Sequence, residues 1–333
     1  MRCIDKIYCY IQYSLWSRVR FINYLLLPCS SIYRLLTNLR YYFFQTPFKF
    51  QSKIICVGNA ISGGAGKTPV VIRLLELLLL NKEFNVAVVT KGYHGLLITK
   101  KAIKVNLKNH SHKDVGDEAL LIAEYASVFV SRSRILSIRM AEKNGARIII
   151  LDDGLQDNSI YKDFSILVVS THHLKTKENH FLIPAGPMRE SLQSSIKKVE
   201  IVIFADKEDF LLHRHLLKSK VILYQEEVIK NSQVIQGKKF ILLSGIANPA
   251  RIEKTIENLN IIIVKKYFFP DHHSFLYYDL CMIYNEAKKI QCKVLTTKKD
   301  FTRIHSAFHN MTVIIDYSIK IDQENKMMQA LFI

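Results

Sequence analysis

A mainly parallel α/β sheet with helices on both faces, followed by a smaller C-terminal α/β domain, is the fold this 333-residue sequence predicts. Three observations predict it. Apolar runs of strand length recur at 54–57, 86–89, 128–130, 148–151, 166–169 and 201–204, each followed by turn residues and a helix-like stretch. The same rhythm returns on a smaller scale at 240–243, 261–264, 294–295 and 313–315. Between the first run and the first helix lies Gly58-Asn59-Ala60-Ile61-Ser62-Gly63-Gly64-Ala65-Gly66-Lys67-Thr68-Pro69, a glycine-rich turn ending in Gly-Lys-Thr. Strands that read as continuous apolar runs are buried on both faces, as parallel strands are, and such sheets gather ligand groups at the carboxyl ends of their strands.

In chain order, residues 1–50 are basic and aromatic. After Asp5 no acidic residue occurs until Glu76, while Arg18, Arg20, Arg34, Arg40 and Lys49 alternate with Tyr, Phe, Trp and Leu. Ile32, Leu35, Leu36, Leu39 and Phe43 fall at helical spacing, with Arg34 and Asn38 off that face. This pattern suits helices lying at a membrane surface, with arginines on anionic headgroups. The alternative is helices packed on the domain's own core. A spanning helix is excluded because Arg18 and Arg20 interrupt the apolar run before about 18 residues accumulate, and the run lacks the apolar core and cleavage site of a signal peptide.

Residues 51–225 are expected to form the main sheet. Within them, the 58–69 turn places free N–H groups of a helix start toward an anion, lets Lys67 reach outer phosphates and lets the Thr68 hydroxyl hold magnesium. Gly63, Gly64, Ala65 and Gly66 form the cradle, and Pro69 is tolerated in the first helical turn. The usual phosphate-loop pattern asks for glycine where Ile61 stands. Polarity rises at 226–239, read as a linker or hinge, and 240–333 is read as the smaller α/β domain.

Four polar clusters follow these runs. Asp152-Asp153, after the strand at 148–151, is placed to hold magnesium, or alternatively Asp152 caps the turn before Gly154. Asp117, after Gly116, is either a helix cap or a carboxylate base at a helix start. In Pro184-Ala185-Gly186-Pro187-Met188-Arg189-Glu190 a rigid turn presents Arg189 to a phosphate or a transferring phosphoryl group, unless it is a plain surface loop. Asp271-His272-His273 invites a metal reading, but no ligand at suitable spacing completes a set, so a histidine that tunes an acidic base is the preferred role.

The net charge of +18 is spread along the chain and no nucleic-acid module is present, so nucleic acid is not an expected partner. Six cysteines form no C-x-x-C pair, which points to reduced thiols in a cytosolic compartment without structural zinc.

Taken in order, these segments resemble the tetraacyldisaccharide 4'-kinase family. The resemblance runs from the phosphate loop through Lys91-Gly92-Tyr93, Val115-Gly116-Asp117-Glu118, Asp152-Asp153-Gly154-Leu155-Gln156 and the 184–190 turn to Gly245-Ile246-Ala247-Asn248-Pro249-Ala250-Arg251, residues 270–275 and Lys299-Asp300. The family's loop also lacks the first glycine. The resemblance implies a P-loop-type kinase using ATP and Mg2+ to phosphorylate the 4'-hydroxyl of an acylated glucosamine disaccharide 1-phosphate. It implies a peripheral enzyme on the cytoplasmic face of the inner membrane, with no obligate protein partner inferred. By the same resemblance Lys67 is the phosphate lysine, Thr68 the magnesium hydroxyl, and Asp152 and Asp153 the metal-side carboxylates. Asp117 is the general base with His272, held by Asp271, as its partner; Arg189 is the phosphate-side arginine and Gln156 an active-site residue. The sequence departs from the family at Lys91, His94, Asp157, Ser191 and Lys298, all flanking that set. Thr297-Lys298-Lys299-Asp300 also fits the guanine-recognition pattern of a P-loop GTPase, and a noncatalytic membrane-associated nucleotide sensor is a third reading.

Overall fold

The computed structural model describes residues 16, 19–43, 46–62, 66–80, 84–93, 95–169, 179–205, 207, 210–211, 221–229, 231, 236–246, 252–253, 256, 259–271, 273–315 and 317–332. Gly63, Gly64, Ala65, His94, His272 and residues 247–251 lie outside them.

A short helix, α1 (Phe21–Leu25), and a longer one, α2 (Leu27–Phe43), precede β1 (Lys53–Gly58), α3 (Lys67–Leu79), β2 (Val86–Thr90) and β3 (Ile103–Lys104). The chain continues through α4 (His112–Val115), α5 (Asp117–Ala123), β4 (Ser127–Val130), α6 (Arg134–Lys143), β5 (Ile148–Asp152) and β6 (Phe164–Val169). Then come α7 (Leu192–Lys197), β7 (Ile201–Phe204), β8 (Val221–Ile229), β9 (Lys239–Ser244), β10 (Ile262–Phe268) and α8 (Tyr277–Lys289). The chain closes with β11 (Lys293–Thr297), α9 (Lys298–Phe301), β12 (Thr312–Ile315), β13 (Tyr317–Ile321) and α10 (Glu324–Phe332).

Among the described residues nine strands form one sheet in the order β13-β8-β7-β6-β1-β5-β2-β4-β3. Its neighbours are parallel except at the two edges, where β3 and β13 run antiparallel. Because strand side chains alternate faces, Ile55 and Val57 pack with Val70 and Leu74 of α3, while Ile54 and Cys56 pack with Ile138 and Ala141 of α6. Helices thus cover both faces, as the apolar runs predict. A second sheet, β10-β9-β11-β12, is parallel throughout and carries Leu280, Ile283 and Ala287 of α8 on one face.

The division of the chain differs from the sequence expectation at two places. Residues 226–229, read as the start of a linker, continue β8 and pair with β13. The last residues do not stay with the small sheet: β13 closes the edge of the large one, and Met327 and Leu331 of α10 are buried in its core. Arg73 of α3 pairs with Glu324 at the start of α10, its Nε and Nη2 donating at 2.8 and 2.7 Å. The Gln225-Glu226-Glu227 run hid β8, because that half of the strand lies beyond its pairing with β7 and runs along the edge strand β13, where charges are tolerated that the middle of a sheet does not accept.

The N-terminal helices are fastened by polar contacts rather than by an apolar face. Trp16 Nε1 donates to Pro184 O at 3.0 Å, Asn23 Nδ2 to Ala185 O at 2.8 Å and Ser30 Oγ to Leu182 O at 2.8 Å. Ile32, Leu35 and Leu36 are each 59% exposed, so packing on the domain's own core does not account for the apolar spacing of α2. No helix among the described residues is long and apolar enough to cross a membrane.

Candidate functional site

The site grows from the end of β1. Gly66 has φ +78°, the left-handed region that glycine enters without strain, and it turns the loop into α3 so that Lys67 and Thr68 stand in its first turn. Ile61, where the usual loop has glycine, is buried with Ala60 and Met188. It forms a bridge to Met188, flanked by Ser62 N donating to Pro187 O (2.8 Å) and Arg189 N donating to Ala60 O (2.8 Å). The side chain therefore locks the first half of the loop onto the 187–189 turn, and the same contact fixes where Arg189 emerges.

β5 lies beside β1 with Asp152 level with Val57. Asp152 follows Ile148 and Ile150 at period two and so faces α3. It is 2% exposed, and its Oδ1 has no hydrogen-bond partner. Burial, reinforced by the Glu118 carboxylate, pushes its pKa up. Asp153, at φ +58°, leaves the strand direction and meets two cations. Lys67 Nζ lies 3.3 Å from its Oδ1, and Arg189 Nη1 donates to both oxygens at 2.8 and 2.9 Å. Burial alone would raise the Asp153 carboxyl, but Lys67 and Arg189 outweigh it and hold the group well below the usual carboxylate range. Gln156 ties the parts together, its Nε2 donating to Asn59 O (2.8 Å) and Glu190 Oε1 (3.0 Å).

This donor set fits magnesium and a polyphosphate. A buried acceptor without a partner at Asp152 is what a cation would satisfy, and Asp153 neutralises the two side chains that a phosphate would otherwise engage. No group of three or more His, Cys, Asp or Glu gathers as a metal cage among the described residues. Magnesium held by one or two carboxylates, a hydroxyl, phosphate oxygens and water needs no such cage.

Asp117 approaches from α5. Gly116 before it has φ +89°, and a Cβ there would stand 2.7 Å from Tyr93 O, so glycine is required for the turn that starts the helix. Asp117 is 5% exposed; its Oδ1 accepts from Glu118 N at 2.9 Å. Arg303 Nε and Lys299 Nζ lie 3.7 and 4.0 Å from its Oδ2. Asp271 meets Lys299 Nζ at 3.3 Å. His272, expected to partner Asp117, lies outside the described residues. Its neighbour His273 stacks on Phe269 (centroids 4.8 Å apart), and burial lowers its pKa.

Asp300, the acid of the guanine-type pattern, is fully buried. It accepts from Gly245 N (3.0 Å), Ser244 Oγ (3.3 Å) and Thr297 Oγ1 (2.8 Å) and pairs with Arg303. Its carboxylate is consumed inside the small sheet, which removes the basis for reading it as a guanine contact.

Several departures from the family pattern have local partners. Asp157 accepts from Arg134 Nη1 at 3.1 Å, and Arg134 Nη2 donates to Asp153 O. Ser191 caps α7 by accepting from Ser194 N at 3.2 Å. Lys298 pairs with Glu124. Burial lowers the pKa of half-exposed Lys91, with Arg134 adding to the effect. Asn59, Arg134 and Arg303 were not singled out by sequence. Asn59 is fully buried with neither amide atom partnered, and its position after the β1 run was the one available cue.

A Gly-Lys-Thr triplet opening the helix after a central parallel strand, with paired carboxylates at the end of the neighbouring strand, is the arrangement of a P-loop-type fold. The family model described as Tetraacyldisaccharide-1-P 4'-kinase matches residues 22–332. Tetraacyldisaccharide 4'-kinase of Rickettsia canadensis (strain McKiel) is 33% identical over 320 residues, 95% of both chains. That of Rickettsia felis (strain ATCC VR-1525 / URRWXCal2) is 32% identical over 317 residues, again 95% of both. The chain belongs to the tetraacyldisaccharide 4'-kinase family. The fold is shared with LpxK from Aquifex aeolicus, a structure described as an "apo" form in complex with ATP, at TM-score 0.74 and 24% identity over 94% of this chain and 99% of that one.

Proposed function

We propose that the chain transfers the terminal phosphoryl group of ATP to the 4'-hydroxyl of a tetraacylated glucosamine disaccharide 1-phosphate, a step of lipid A biosynthesis. The observation that carries this reading is the convergence of Lys67 and Arg189 on Asp153, beside the unpartnered Oδ1 of Asp152. Lys67 and Arg189 bind and orient the phosphates, and Gly63 to Gly66 supply backbone N–H groups to them. Thr68, Asp152 and Asp153 hold magnesium, which when bound neutralises phosphate charge. Asp117 takes the proton of the acceptor hydroxyl, with Asp271 and His272 as its supporting pair, and Gln156 keeps the loop and the 189–190 segment in register. Phosphoryl transfer asks chiefly for positioning and charge stabilisation, and this constellation supplies both.

We further propose that the enzyme works as a peripheral protein on the cytoplasmic face of the inner membrane. The exposed Ile32, Leu35, Leu36 and Leu39 would enter the acyl boundary while the substrate's acyl chains remain in the bilayer. The transfer reading is tested with ATP and the acylated disaccharide in detergent micelles. Lys67→Ala is expected to lower kcat/KM by at least about 10²-fold, and Asp117→Ala to lower kcat by about 10²–10⁴-fold, each with the melting transition kept. Wild-type turnover in either variant, or GTP-specific turnover indifferent to the lipid, contradicts it.

A further inference from the structure

The helix α9 is four residues long and is started by Thr297, whose Oγ1 accepts from Asp300 N at 3.1 Å. It presents two consecutive lysines to α5 of the large sheet. Lys298 Nζ pairs with Glu124 and lies 5.1 Å from the Tyr125 ring centroid, at the far end of α5. Lys299 Nζ reaches the near end, 3.4 Å from Glu118 Oε1 and 4.0 Å from Asp117 Oδ2, and also touches Asp271 Oδ1 at 3.3 Å. One turn on, Arg303 Nε stands 3.7 Å from the same Asp117 oxygen. Its guanidinium is immobilised by Asp300 and by the carbonyls of Gly245 and His273, both accepting at 3.0 Å.

Two cations from the small sheet therefore face one buried carboxylate from the large sheet. Neither sits at the 2.7–2.9 Å of a tight charge-assisted bond, roughly the range for such pairs, so they orient Asp117 without capturing its oxygen in a short contact. Burial disfavours the charge on Lys299, but Asp271, Asp117 and Glu118 outweigh it and hold its pKa above the ordinary lysine value. The Lys298–Glu124 pair is about a third exposed on both sides and screened by solvent, so it adds little beyond register.

We propose that Lys299 is a positioning residue for Asp117, aiming that carboxylate from the small sheet's side so that phosphoryl transfer requires α9 to be seated on α5. The proposal rests on Asp117 as the base. Lys299→Met, Lys299→Arg and Asp117→Asn are compared by kcat and KM on the acylated disaccharide 1-phosphate, with ATP affinity measured by direct titration. Lys299→Met is expected to lower kcat by about 30-fold with ATP affinity within about twofold, and Lys299→Arg to recover kcat to within about fivefold of wild type. A Lys299→Met kcat within about threefold of wild type, or ATP affinity falling in step with kcat, overturns the proposal. If Lys299→Met does not fold, Lys299→Gln is read by the same criteria. Wild-type kcat in Asp117→Asn sinks the base assignment itself, whereas loss there with full activity in Lys299→Met sinks this proposal alone.

Discussion

At Asp153 one carboxylate answers two cations from different segments, Lys67 of the phosphate-loop helix and Arg189 of the 184–190 turn. Its folded pKa is depressed, so it contributes stability that is full above the unfolded value of about 4 and is lost as pH falls through the folded pKa. Asp153→Asn is therefore expected to destabilise the nucleotide-free protein by about 1 kcal/mol at neutral pH, with the difference from wild type shrinking below about pH 4. Thermal melts across pH check this; a constant difference down to acid would contradict it. Lys67, Asp152 and Asp153 were readable because a strand end and a loop motif fix where they stand. Arg134 and Arg303 were not, since each acts across long sequence separations that no local pattern encodes. Lys299 was marked as part of a family-like segment, but its contacts were not readable, since its carboxylate partners lie 28 and 181 residues away.

Among the elements, α1 and α2 show how one segment can serve two surfaces. Asn23 and Ser30 reach inward to the carbonyls of the turn that delivers Arg189, while the apolar stripe of α2 faces outward. Leu35→Ser with Leu36→Ser is expected to change stability by less than about 0.5 kcal/mol, where burial in a core would have cost several kcal/mol, yet to weaken cosedimentation with anionic vesicles several-fold. Unchanged vesicle binding would remove the membrane role of this stripe. The parallel strands were readable because fully buried strands appear as unbroken apolar runs. β8 and β13 were not, because the edge strand β13 alternates and carries charge, and Gln225-Glu226-Glu227, in the half of β8 beyond its pairing with β7, resembles a polar connection.

In the whole molecule the chain leaves the large sheet after β8, builds the small one and returns as β13 and α10, so the two sheets are joined by two crossings of the chain. That path makes α10 a brace for the phosphate-loop helix through Arg73 and Glu324, and it leaves α9 resting on α5 beside Asp117. The large sheet carries Lys67, Arg189 and the paired carboxylates, and the small sheet carries Lys299 and Arg303, the cations that face Asp117, the proposed base. Closure of the two around substrate would exclude water from the transferring group. The most direct test of this account is mass spectrometry of the acylated disaccharide 1-phosphate after incubation with the protein, magnesium and ATP. The account predicts a product heavier by one phosphoryl group at the 4' position, absent with Lys67→Ala; unmodified disaccharide with the wild-type protein under these conditions would contradict it.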